Sequence, residues 1–294
     1  MERTYINEAQ KAIGGTVKVQ GFIENLRNSK YMAFIVLKDI TGKLQITVEK
    51  EDHPDLVDTI DKLTPDSVIT VTGKVMENDY VKMGGVEMIP ESIEIESIAD
   101  ALPIVRKEIA ATKKKKAVER SSIDQRIDYR WIDLRTDENQ LMFKAQSCFV
   151  NAMRKFLLDR NFIEIHTPKL IAAASESGSE VFKVDYFDRN AYLAQSPQFY
   201  KQMAMAAGFE RIFETGPVFR AEKSYTNKHS TEFSGFDLEF SYITSYKDVM
   251  KMEEELLTAG LQAVKDNYGD QIQELFGQEV IVPEAPFPVV KLAD

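Results

Sequence analysis

Two neighbouring strand-like segments carry residues of types that bind anions. Arg220 and Glu222 are two positions apart, so on a strand both side chains would project to the same face. On the segment that returns after a polar loop, Phe233, Asp237 and Glu239 share one parity. One sheet face would therefore gather an arginine, three carboxylates and an aromatic ring.

This pattern has two interpretations. Opposite charges on one face can be cross-strand pairs that stabilise a half-exposed sheet, each contributing about 0.2 to 1 kcal/mol. Alternatively, the fixed fork of the arginine could bind the oxyanions of a nucleotide such as ATP. The spacing alone does not choose between these interpretations.

A second candidate lies in a helical run that follows Pro197. Gln198 and Lys201 are three positions apart and would share one helical face if the turn starts at Pro197. A lysine inside a pocket suits a ligand with a side-chain carboxylate, whereas an amide would leave the charge unpaired. The alternative is a capped surface helix whose lysine is solvated.

The first part of the chain has the pattern of β structure. Between residues 16 and 97, apolar and polar residues alternate, and residues 39–43 and 84–85 supply turn chemistry. Several short strands in this span predict a small barrel of the oligonucleotide-binding kind, the OB-fold. The alternating apolar positions are Val17, Val19, Ile23, Leu44, Ile46, Val48, Ile69, Val71, Val75, Ile93 and Ile95.

The remainder predicts an α+β domain built on antiparallel strands. Residues 99 to about 139 lack clean periodicity and read as a hinge. From Leu141 to Phe156, apolar residues recur at helical spacing, and an extended segment then stops at Pro168. Further along we expect a short strand at 191–193, a helix ending at Gly208, strands within 211–222 and 232–243, and an amphipathic helix from Tyr246 to about Tyr268.

Composition restricts the partners and the compartment. A chain of 294 residues favours two domains, and its net charge of −10 permits nucleic-acid binding only where positive charge is clustered, as at Lys113–Lys116. The sequence has neither about 18 consecutive apolar residues nor a signal peptide, so we expect a cytoplasmic protein. It has no Gly-rich phosphate loop and no zinc-ligand spacing. The single cysteine, Cys148, is expected to be a buried apolar residue.

The segment 219–222, the loop residue His229 and the pair 232–233 together resemble motif 2 of class II aminoacyl-tRNA synthetases. The resemblance implies that Arg220 is catalytic, bridging the ATP α-phosphate and the amino-acid carboxylate and offsetting charge as that carboxylate attacks phosphorus. It also implies that Glu222 contacts the adenine amino group, that Phe233 stacks on adenine and that His229 approaches the terminal phosphates. No enzyme nucleophile is needed, since the protein contributes position and field.

Residues 193–203, LAQSPQFYKQM, are similar to a segment characteristic of the aspartate-specific members of this family, of the archaeal and eukaryotic type. The loop 175–180 resembles the mobile loop that closes over aspartate. The resemblance implies an aspartate site in which Ser196 and Asp237 hold the ammonium group. Its full set is Glu176, Ser196, Gln198, Lys201, Arg220 and Asp237.

In the predicted barrel, Phe34, Gln45 and Glu87 fall where aspartate-specific relatives read the central anticodon bases, and Arg27 is expected at backbone phosphate. An aromatic ring would stack on a splayed base while the polar pair bonds its edges. Taken by itself, Phe34 is more typical of a core residue. The resemblance implies tRNA(Asp), and also tRNA(Asn) as a candidate, as partners.

The resemblance divides the chain into an anticodon-binding OB-fold at 1–98, a hinge at 99–138, and the N-terminal part of a class II catalytic domain at 139–294. The segment 149–168 resembles motif 1, the dimer interface of the family, so we expect a homodimer. Motif 3, with an ATP-binding arginine and preceding acidic residues for Mg²⁺, does not occur before Asp294. We therefore expect a truncated chain without metal ligands of its own, and one that does not adenylate aspartate at a normal rate.

The implied activity is that of an aspartate–tRNA ligase, which activates L-aspartate with ATP, in the presence of Mg²⁺, and transfers it to the 3′ end of tRNA. One alternative is an RNA-binding paralogue without catalysis; the absent motif 3 favours it, and the retained Arg220, Glu222, Gln198 and Lys201 oppose it. Another alternative is a relative that makes asparagine from aspartate. The barrel opposes that reading, because such an enzyme has no use for an anticodon reader.

Overall fold

The computed structural model describes residues 1–108, 117–173, 181–223, 226 and 228–290. By its internal contacts the chain divides into two units, Met1–Tyr129 and Arg130–Asp294. Among the described residues, every helix is either too short or too polar to span a bilayer.

The first unit contains a closed five-stranded barrel, which confirms the predicted OB-fold. The elements are α1 (Ile6–Ala9), β1 (Thr16–Asn28), β2 (Met32–Lys38), β3 (Lys43–Glu49), a 3-10 turn (Pro54–Leu56), α2 (Val57–Ile60), β4 (Val68–Glu77) and β5 (Val86–Ser97). The strands follow one another around the barrel in the order β1-β2-β3-β5-β4; β3 and β5 pair in parallel and the other pairs are antiparallel. Closure means that each strand has a neighbour on both sides.

The barrel core includes the residues that alternation predicted, and it also contains residues that were not predicted, among them Ala33, Ile35 and Leu37 of β2 and Met88 of β5. Leu44, Ile46 and Val48 of β3 are buried, while the intervening Gln45 projects outward. Each fully buried aliphatic side chain of this size contributes about 1.5–3 kcal/mol. Of the predicted core positions, only Val17 and Ile95 are partly buried. Two residues of α1, Ile6 and Ala9, add to the same core.

The stretch that was expected to be an irregular hinge has more structure than periodicity indicated. Arg106 forms a bidentate ion pair with Asp66 next to β4, with N–O distances of 2.9 and 2.6 Å, and Ile104 is buried. Two short helices follow, α3 (Ile123–Asp128) and α4 (Arg130–Asp133). Helices of six and four residues are too short to show a period in sequence. The lysine run 113–116 lies outside the described residues.

The described part of the second unit has two small sheets and three longer helices. The elements are α5 (Asp137–Leu158), β6 (Ile163–Glu164), β7 (Leu170–Ile171), β8 (Lys183–Tyr186), β9 (Arg189–Leu193), α6 (Gln198–Ala206), β10 (Arg211–Phe219), β11 (Glu232–Phe240) and α7 (Tyr246–Phe276). One sheet has the order β11-β10-β6, with β10 and β11 antiparallel and β6 parallel to β10; the other has the order β7-β9-β8. The antiparallel pair confirms the predicted α+β class.

The core of this unit lies between α5, α7 and one face of the β10–β11 pair. Met153 and Leu157 of α5 pack with Phe213 of β10 and Leu256 of α7. Cys148, which was expected to be buried, is half-buried, and its Sγ lies 3.5 Å from the carbonyl oxygen of Ala263. The α5 helix is therefore only partly enclosed along the predicted stripe.

The last helix is longer than predicted. It begins at Ser245, whose side chain forms a capping box with Asp248. Hydrogen bonds from the Thr244 and Ser245 backbone lower the pKa of Asp248. The helix passes the predicted end near Tyr268 and stops at Gly277, which has a φ of +65°.

Candidate functional site

The strands β10 and β11 present one face built from directly opposed residues. Across the pair, Glu214 lies opposite Asp237, and Ile212 lies opposite Glu239. Val218 lies opposite Phe233. Opposed residues of an antiparallel pair share a face, so the predicted gathering of Phe233, Asp237 and Glu239 on one face is confirmed.

Arg220 joins this face, but Glu222 does not follow it on a strand. The strand ends at Phe219, and the ladder continues for one more residue because the Arg220 N–H donates to the Thr231 carbonyl at 2.9 Å. The Arg220 guanidinium carbon lies 5.6 Å from the centre of the Phe233 ring. Among the described residues, no strand pairs with the backbone beyond Arg220, and Glu222 lies in an exposed loop. The expectation that both residues project from one strand was therefore wrong for Glu222.

Lys201 reaches the opposite end of the same face. It lies in the first turn of α6, where its N–H donates to the Pro197 carbonyl at 3.0 Å, as the predicted turn requires. Lys201 is only 5% exposed. Its ammonium group donates to Asp237 Oδ1 and lies 3.2 Å from Glu239 Oε2. The alternative of a solvated surface lysine was therefore wrong.

The segment before α6 runs beside the end of β10. The Ala194 carbonyl accepts a hydrogen bond from the Phe219 N–H at 2.9 Å, and the Ser196 hydroxyl accepts one from the Gln198 N–H at 3.4 Å. These contacts bring the segment of Ser196 and Gln198 to the strand that leads into Arg220. Gln195, in the same segment, is fully buried.

Sequence reasoning missed a buried cluster on this face, centred on Glu214. Glu214 is 4% exposed and accepts hydrogen bonds from the Thr167 N–H at 2.8 Å, the Thr167 hydroxyl at 2.7 Å and Lys169 Nζ at 3.0 Å. Burial by itself raises the pKa of Glu214, but the hydrogen bonds from Thr167 and Lys169 outweigh it and hold the pKa below its ordinary value. The sequence did contain a signal for this residue: Glu214 is an even number of positions from Arg220, so on one strand both side chains would project to the same face.

Between these charged groups the sheet has no side chains. Gly216 lies opposite Gly235. A Cβ at Gly216 would be 3.6 Å from both Glu214 Oε1 and Lys169 Cε. The two glycines therefore form a floor that has no side chains of its own, between the carboxylates and the Phe233 ring; the side chains of Glu214 and Lys169 lie beside it at Gly216.

The remaining predicted residues of this site are the loop residues His229 and Glu176. His229 is exposed, and its Nδ1 lies 2.7 Å from the Thr226 hydroxyl. Glu176, with the loop 175–180, lies outside the described residues. In the described part of the chain, no group of three or more His, Cys, Asp and Glu side chains could hold a metal ion.

A second candidate site lies on the outer surface of the barrel. Arg27 of β1 lies opposite Phe34 of β2, and Phe34 lies opposite Thr47 of β3; in parallel register, Gln45 of β3 lies opposite Glu87 of β5. Phe34 is half-buried on this outer face, whereas its neighbours Ala33 and Ile35 point into the core. The alternative of a core phenylalanine was therefore wrong.

Two polar residues that sequence reasoning did not single out complete this surface. Glu87 accepts hydrogen bonds from the Thr47 hydroxyl at 2.5 Å and from the Asn78 amide at 2.8 Å. Gln45 Nε2 lies 3.1 Å from the Thr47 hydroxyl oxygen. Thr47 lies two residues after Gln45 on β3, so strand alternation could have placed both side chains on the outer face. Asn78 lies in the β4–β5 loop, where no sequence pattern indicated its position.

Comparison with known families matches both units. Residues 122–294 match the model of the tRNA synthetases class II (D, K and N), and residues 17–96 match that of the OB-fold nucleic acid binding domain. The aspartate–tRNA(Asp/Asn) ligase of Methanopyrus kandleri is 43% identical over 276 residues, 93% of this chain and 62% of that protein. The aspartate–tRNA(Asp) ligase of Picrophilus torridus is 41% identical over 273 residues, 92% of this chain and 61% of that protein.

Solved structures of tRNA synthetases also match the chain. The asparaginyl-tRNA synthetase of Pyrococcus horikoshii complexed with asparaginyl-adenylate matches with a TM-score of 0.84 and 29% identity, over 95% of this chain and 62% of that one. A putative aspartyl-tRNA synthetase of Leishmania major matches with a TM-score of 0.81 and 29% identity, over 95% and 56%. The chain thus spans less than two thirds of the length of these relatives.

Proposed function

The chain belongs to the class II tRNA synthetases of the aspartate, lysine and asparagine group, and on that premise we propose that it serves aspartate–tRNA ligation. In this reaction L-aspartate is activated with ATP to aspartyl-adenylate, and the aspartyl group is transferred to the 3′ end of a tRNA. The two curated relatives described above carry the name aspartate–tRNA ligase.

The observation that carries the choice of aspartate is the burial of Lys201 beside two carboxylates. An ammonium group has three N–H donors. Asp237 and Glu239 engage two of them, which leaves one for a ligand. A side-chain carboxylate would accept it as an ion pair, whereas the amide oxygen of asparagine would accept it without bringing a charge of its own.

We assign the roles of the other residues by the resemblance to the family, and for Glu176, which lies outside the described residues, the resemblance is the only support. Ser196 and Asp237 would hold the substrate ammonium, Gln198 would lie beside the aspartate side chain, and Glu176 would close over it. The α-carboxylate would then point toward Arg220 across the glycine floor. In this assignment the end of the face with Asp237 and Lys201 binds the ammonium group and side chain of aspartate, and the end with Arg220 binds its α-carboxylate.

Activation is then an attack of the aspartate α-carboxylate on the α-phosphorus of ATP, with pyrophosphate leaving. Arg220 would contact both the carboxylate and the α-phosphate and would offset the charge that builds up on phosphorus. Phe233, which lies under the Arg220 guanidinium, would stack on adenine, Glu222 would accept from the adenine amino group, and His229 would approach the terminal phosphates. The chain would orient the two substrates and supply electrostatic stabilisation, and it would not provide a nucleophile of its own.

We propose Mg²⁺ as the companion ion of ATP, bound to its phosphates. A divalent ion there would neutralise part of the phosphate charge and assist the departure of pyrophosphate. Isothermal titration calorimetry of ATP into the 294-residue chain, once with Mg²⁺ and once with EDTA in the buffer, tests this directly. We expect ATP to bind more weakly once the ion is removed.

For the barrel we propose the anticodon of tRNA(Asp) as ligand, with tRNA(Asn) as a second candidate because relatives of both specificities match the chain. Phe34 would stack on a splayed base, Gln45 and Glu87 would bond its edge, and the exposed Arg27 would meet a phosphate. We also propose a homodimer, by analogy with the motif 1 interface of the family.

The deciding experiment is calorimetric binding of non-hydrolysable aspartyl-adenylate and asparaginyl-adenylate analogues to the 294-residue chain. We expect preference for the aspartyl analogue, loss of binding in Arg220→Ala, and unchanged binding in Lys223→Ala, a matched control on the exposed loop nearby. Equal binding of the two analogues, or binding that survives Arg220→Ala, would contradict the proposal. A catalytically inactive RNA-binding paralogue is not favoured, because the buried Lys201 arrangement has no role in reading RNA.

A further inference from the structure

Lys169 is a cation of the β10–β11 face to which the proposed function gives no role. Its Nζ donates to Glu214 Oε1 at 3.0 Å and to Thr167 Oγ1 at 3.1 Å. A Cβ placed on Gly216 would lie 3.7 Å from the same nitrogen. Gly216 is two residues from Glu214 on β10, so this Cβ would project from the same face. The Lys169 ammonium therefore lies beside the glycine floor, on the β10 side of the face.

The backbone fixes Lys169 next to the segment that precedes α6. The Lys169 carbonyl accepts a hydrogen bond from the Ala194 N–H at 2.9 Å, and the Ala194 carbonyl accepts one from the Phe219 N–H at 2.9 Å. Lys169 is thus connected through Ala194 both to the segment that carries Ser196 and to the strand that leads into Arg220. Its backbone position is set by two parts of the proposed amino-acid site.

Glu214 and Thr167 hold the Lys169 ammonium without using all of its donors. An ammonium group has three N–H donors, and these two contacts engage two of them. The side chain of Lys169 is 21% exposed, whereas that of Glu214 is 4% exposed. The carboxylate is therefore enclosed, and the cation is the member of this ion pair that a ligand can reach.

Arg220 places a second cation within reach of the same ligand group. Its guanidinium lies by the Phe233 ring, and Phe233 pairs with Val218, two residues along β10 from Gly216. Two residues of a strand span about 7 Å. Two charge-assisted hydrogen bonds of about 2.8 Å each, with the width of one carboxylate between them, fill such a gap. One carboxylate can therefore contact Lys169 and Arg220 together.

We propose that Lys169 binds the α-carboxylate of the amino-acid substrate over the glycine floor, together with Arg220, and that Glu214 and Thr167 are the positioning residues that hold its ammonium there. The inference rests on the proposed function and adds a residue to its amino-acid site. It gives the two lysines of the face separate tasks, because Lys201 serves the side-chain carboxylate and Lys169 the α-carboxylate. The phosphates of ATP are the other source of oxyanions, so the test has to separate the two.

Three amino acids that differ by one group distinguish these tasks. L-Aspartate has both carboxylates, L-asparagine keeps only the α-carboxylate, and L-isoasparagine, the α-amide, keeps only the side-chain carboxylate. Isothermal titration calorimetry of each into the 294-residue chain gives two affinity ratios. The ratio of aspartate to isoasparagine reports on the α-carboxylate, and the ratio of aspartate to asparagine reports on the side chain. A separate titration with ATP and Mg²⁺ reports on the phosphates.

Lys169→Met should lower the aspartate-to-isoasparagine ratio about tenfold or more, since it removes a hydrogen bond between charged groups. The aspartate-to-asparagine ratio should not change, because both of these ligands keep the α-carboxylate, and the affinity for ATP should not change either. Lys183→Met is the matched control, because Lys183 is an exposed lysine of β8. It should alter neither ratio.

A double variant separates ligand binding from charge balance within the fold. Lys169→Met leaves the buried Glu214 without its cation, whereas Lys169→Met with Glu214→Gln removes both charges. Thermal melting shows whether each variant is folded. The folded double variant should keep the low aspartate-to-isoasparagine ratio. A return to the ratio of the unaltered chain would mean that Lys169 only neutralises Glu214, and it would overturn the inference.

The outcomes also separate the inference from the proposed function. An aspartate-to-isoasparagine ratio that stays unchanged in both variants, with or without a loss of ATP affinity, overturns the inference and leaves the proposed function standing. Equal weakening of all three amino acids has the same meaning, because it reports a structural role. Failure of the unaltered, folded chain to bind aspartate overturns both.

Discussion

Lys201 is the side chain that separates an acidic ligand from a neutral one on the β10–β11 face. It is almost fully buried and its positive charge is matched by Asp237 and Glu239. Removal of the cation would leave two carboxylates close together without their counter-charge, which raises the cost of a third carboxylate from a ligand. The residue therefore acts on specificity through charge rather than through shape.

We expect Lys201→Met, which keeps the length of the side chain, to weaken the aspartyl-adenylate analogue by roughly 2–5 kcal/mol and to abolish its preference over the asparaginyl analogue. Calorimetry with both analogues measures this. Lys223→Met, on the exposed loop, serves as the control for a general change in net charge. If the preference persisted without Lys201, its role in specificity would be excluded.

Glu214 gives a prediction about pH. Its pKa in the folded chain lies below the ordinary value because Thr167 and Lys169 stabilise the carboxylate. The stabilisation is therefore fully present above the ordinary pKa of a glutamate and is lost as the pH falls through the lower pKa of the folded chain. Glu214→Gln should lower the free energy of unfolding at pH 7, and this difference should shrink below about pH 4.

Urea denaturation of both chains between pH 7 and pH 3 measures the effect. Glutamine keeps the size of the side chain and one of the two acceptor oxygens that Thr167 contacts, so the variant removes the charge and one acceptor without a change in packing volume. A difference between the two chains that stays constant across this range would show that the carboxylate charge has no part in stability.

Sequence patterns predict residues of this site where a single strand sets their spacing. Phe233, Asp237 and Glu239 follow from parity on β11. The Glu214 cluster does not, because Thr167 and Lys169 come from an extended segment far away in sequence, and only tertiary structure brings them to β10. Glu222 was misplaced because parity holds only while a partner strand keeps the backbone extended.

At the level of elements, the contact between α5 and α7 depends on a glycine. A Cβ at Gly260 would lie 2.6 Å from Cε2 and 2.8 Å from Cδ2 of the Phe149 ring, and 3.1 Å from Met153 Cγ. Real side chains do not approach so closely, so one helix would have to move or the ring to rotate. The close approach of the two helices therefore requires glycine at this position.

The same substitution at two glycines of α7 should have opposite effects. Gly260→Ala should destabilise the second unit by about 1–3 kcal/mol through overpacking. Gly269→Ala should stabilise it by up to about 1 kcal/mol, since alanine is the better helix former and the nearest atom to its Cβ is Lys265 Cγ at 3.7 Å. Thermal unfolding followed by circular dichroism compares them. Equal changes in melting temperature for the two variants would show that the contact between α5 and α7 is not tightly packed.

The prediction of helices succeeded where the apolar period was long and failed at their ends and in short pieces. The α7 helix was expected to stop at about Tyr268, yet the residue that follows, Gly269, stays helical and the left-handed Gly277 ends the helix. Sequence alone cannot tell a glycine that caps from one that continues, because both depend on what packs against the helix. The four-residue α4 gave no period to read.

On the scale of the whole molecule, the described part of the chain contains two hydrophobic cores that share no residue. One fills the barrel, and the other lies between α5, α7 and the β10–β11 pair. This division was predictable because strand alternation and helical spacing occupy different parts of the sequence. The lengths of the individual strands and the closure of the barrel were not predictable, because both depend on pairing between distant segments.

Two cores should give two unfolding transitions. Ile46 and Leu157 are both 0% exposed, one in each core. We expect Ile46→Ala to lower the stability of the barrel transition by about 2–5 kcal/mol and leave the other unchanged, and Leu157→Ala to do the reverse. Differential scanning calorimetry distinguishes the two. A single transition that both variants shift equally would show that the units unfold together.

The paired glycines beneath the site have a consequence for how such a pocket can be altered. A Cβ at Gly235 would meet Val218 Cγ2 at 3.6 Å and the Gly216 carbonyl oxygen at 3.9 Å, both ordinary contact distances. An alanine there fits the folded chain yet occupies floor area that a ligand would need. Gly235 is thus a position at which evolution or engineering can narrow what the pocket accepts without disturbing its charges and at little expense in stability.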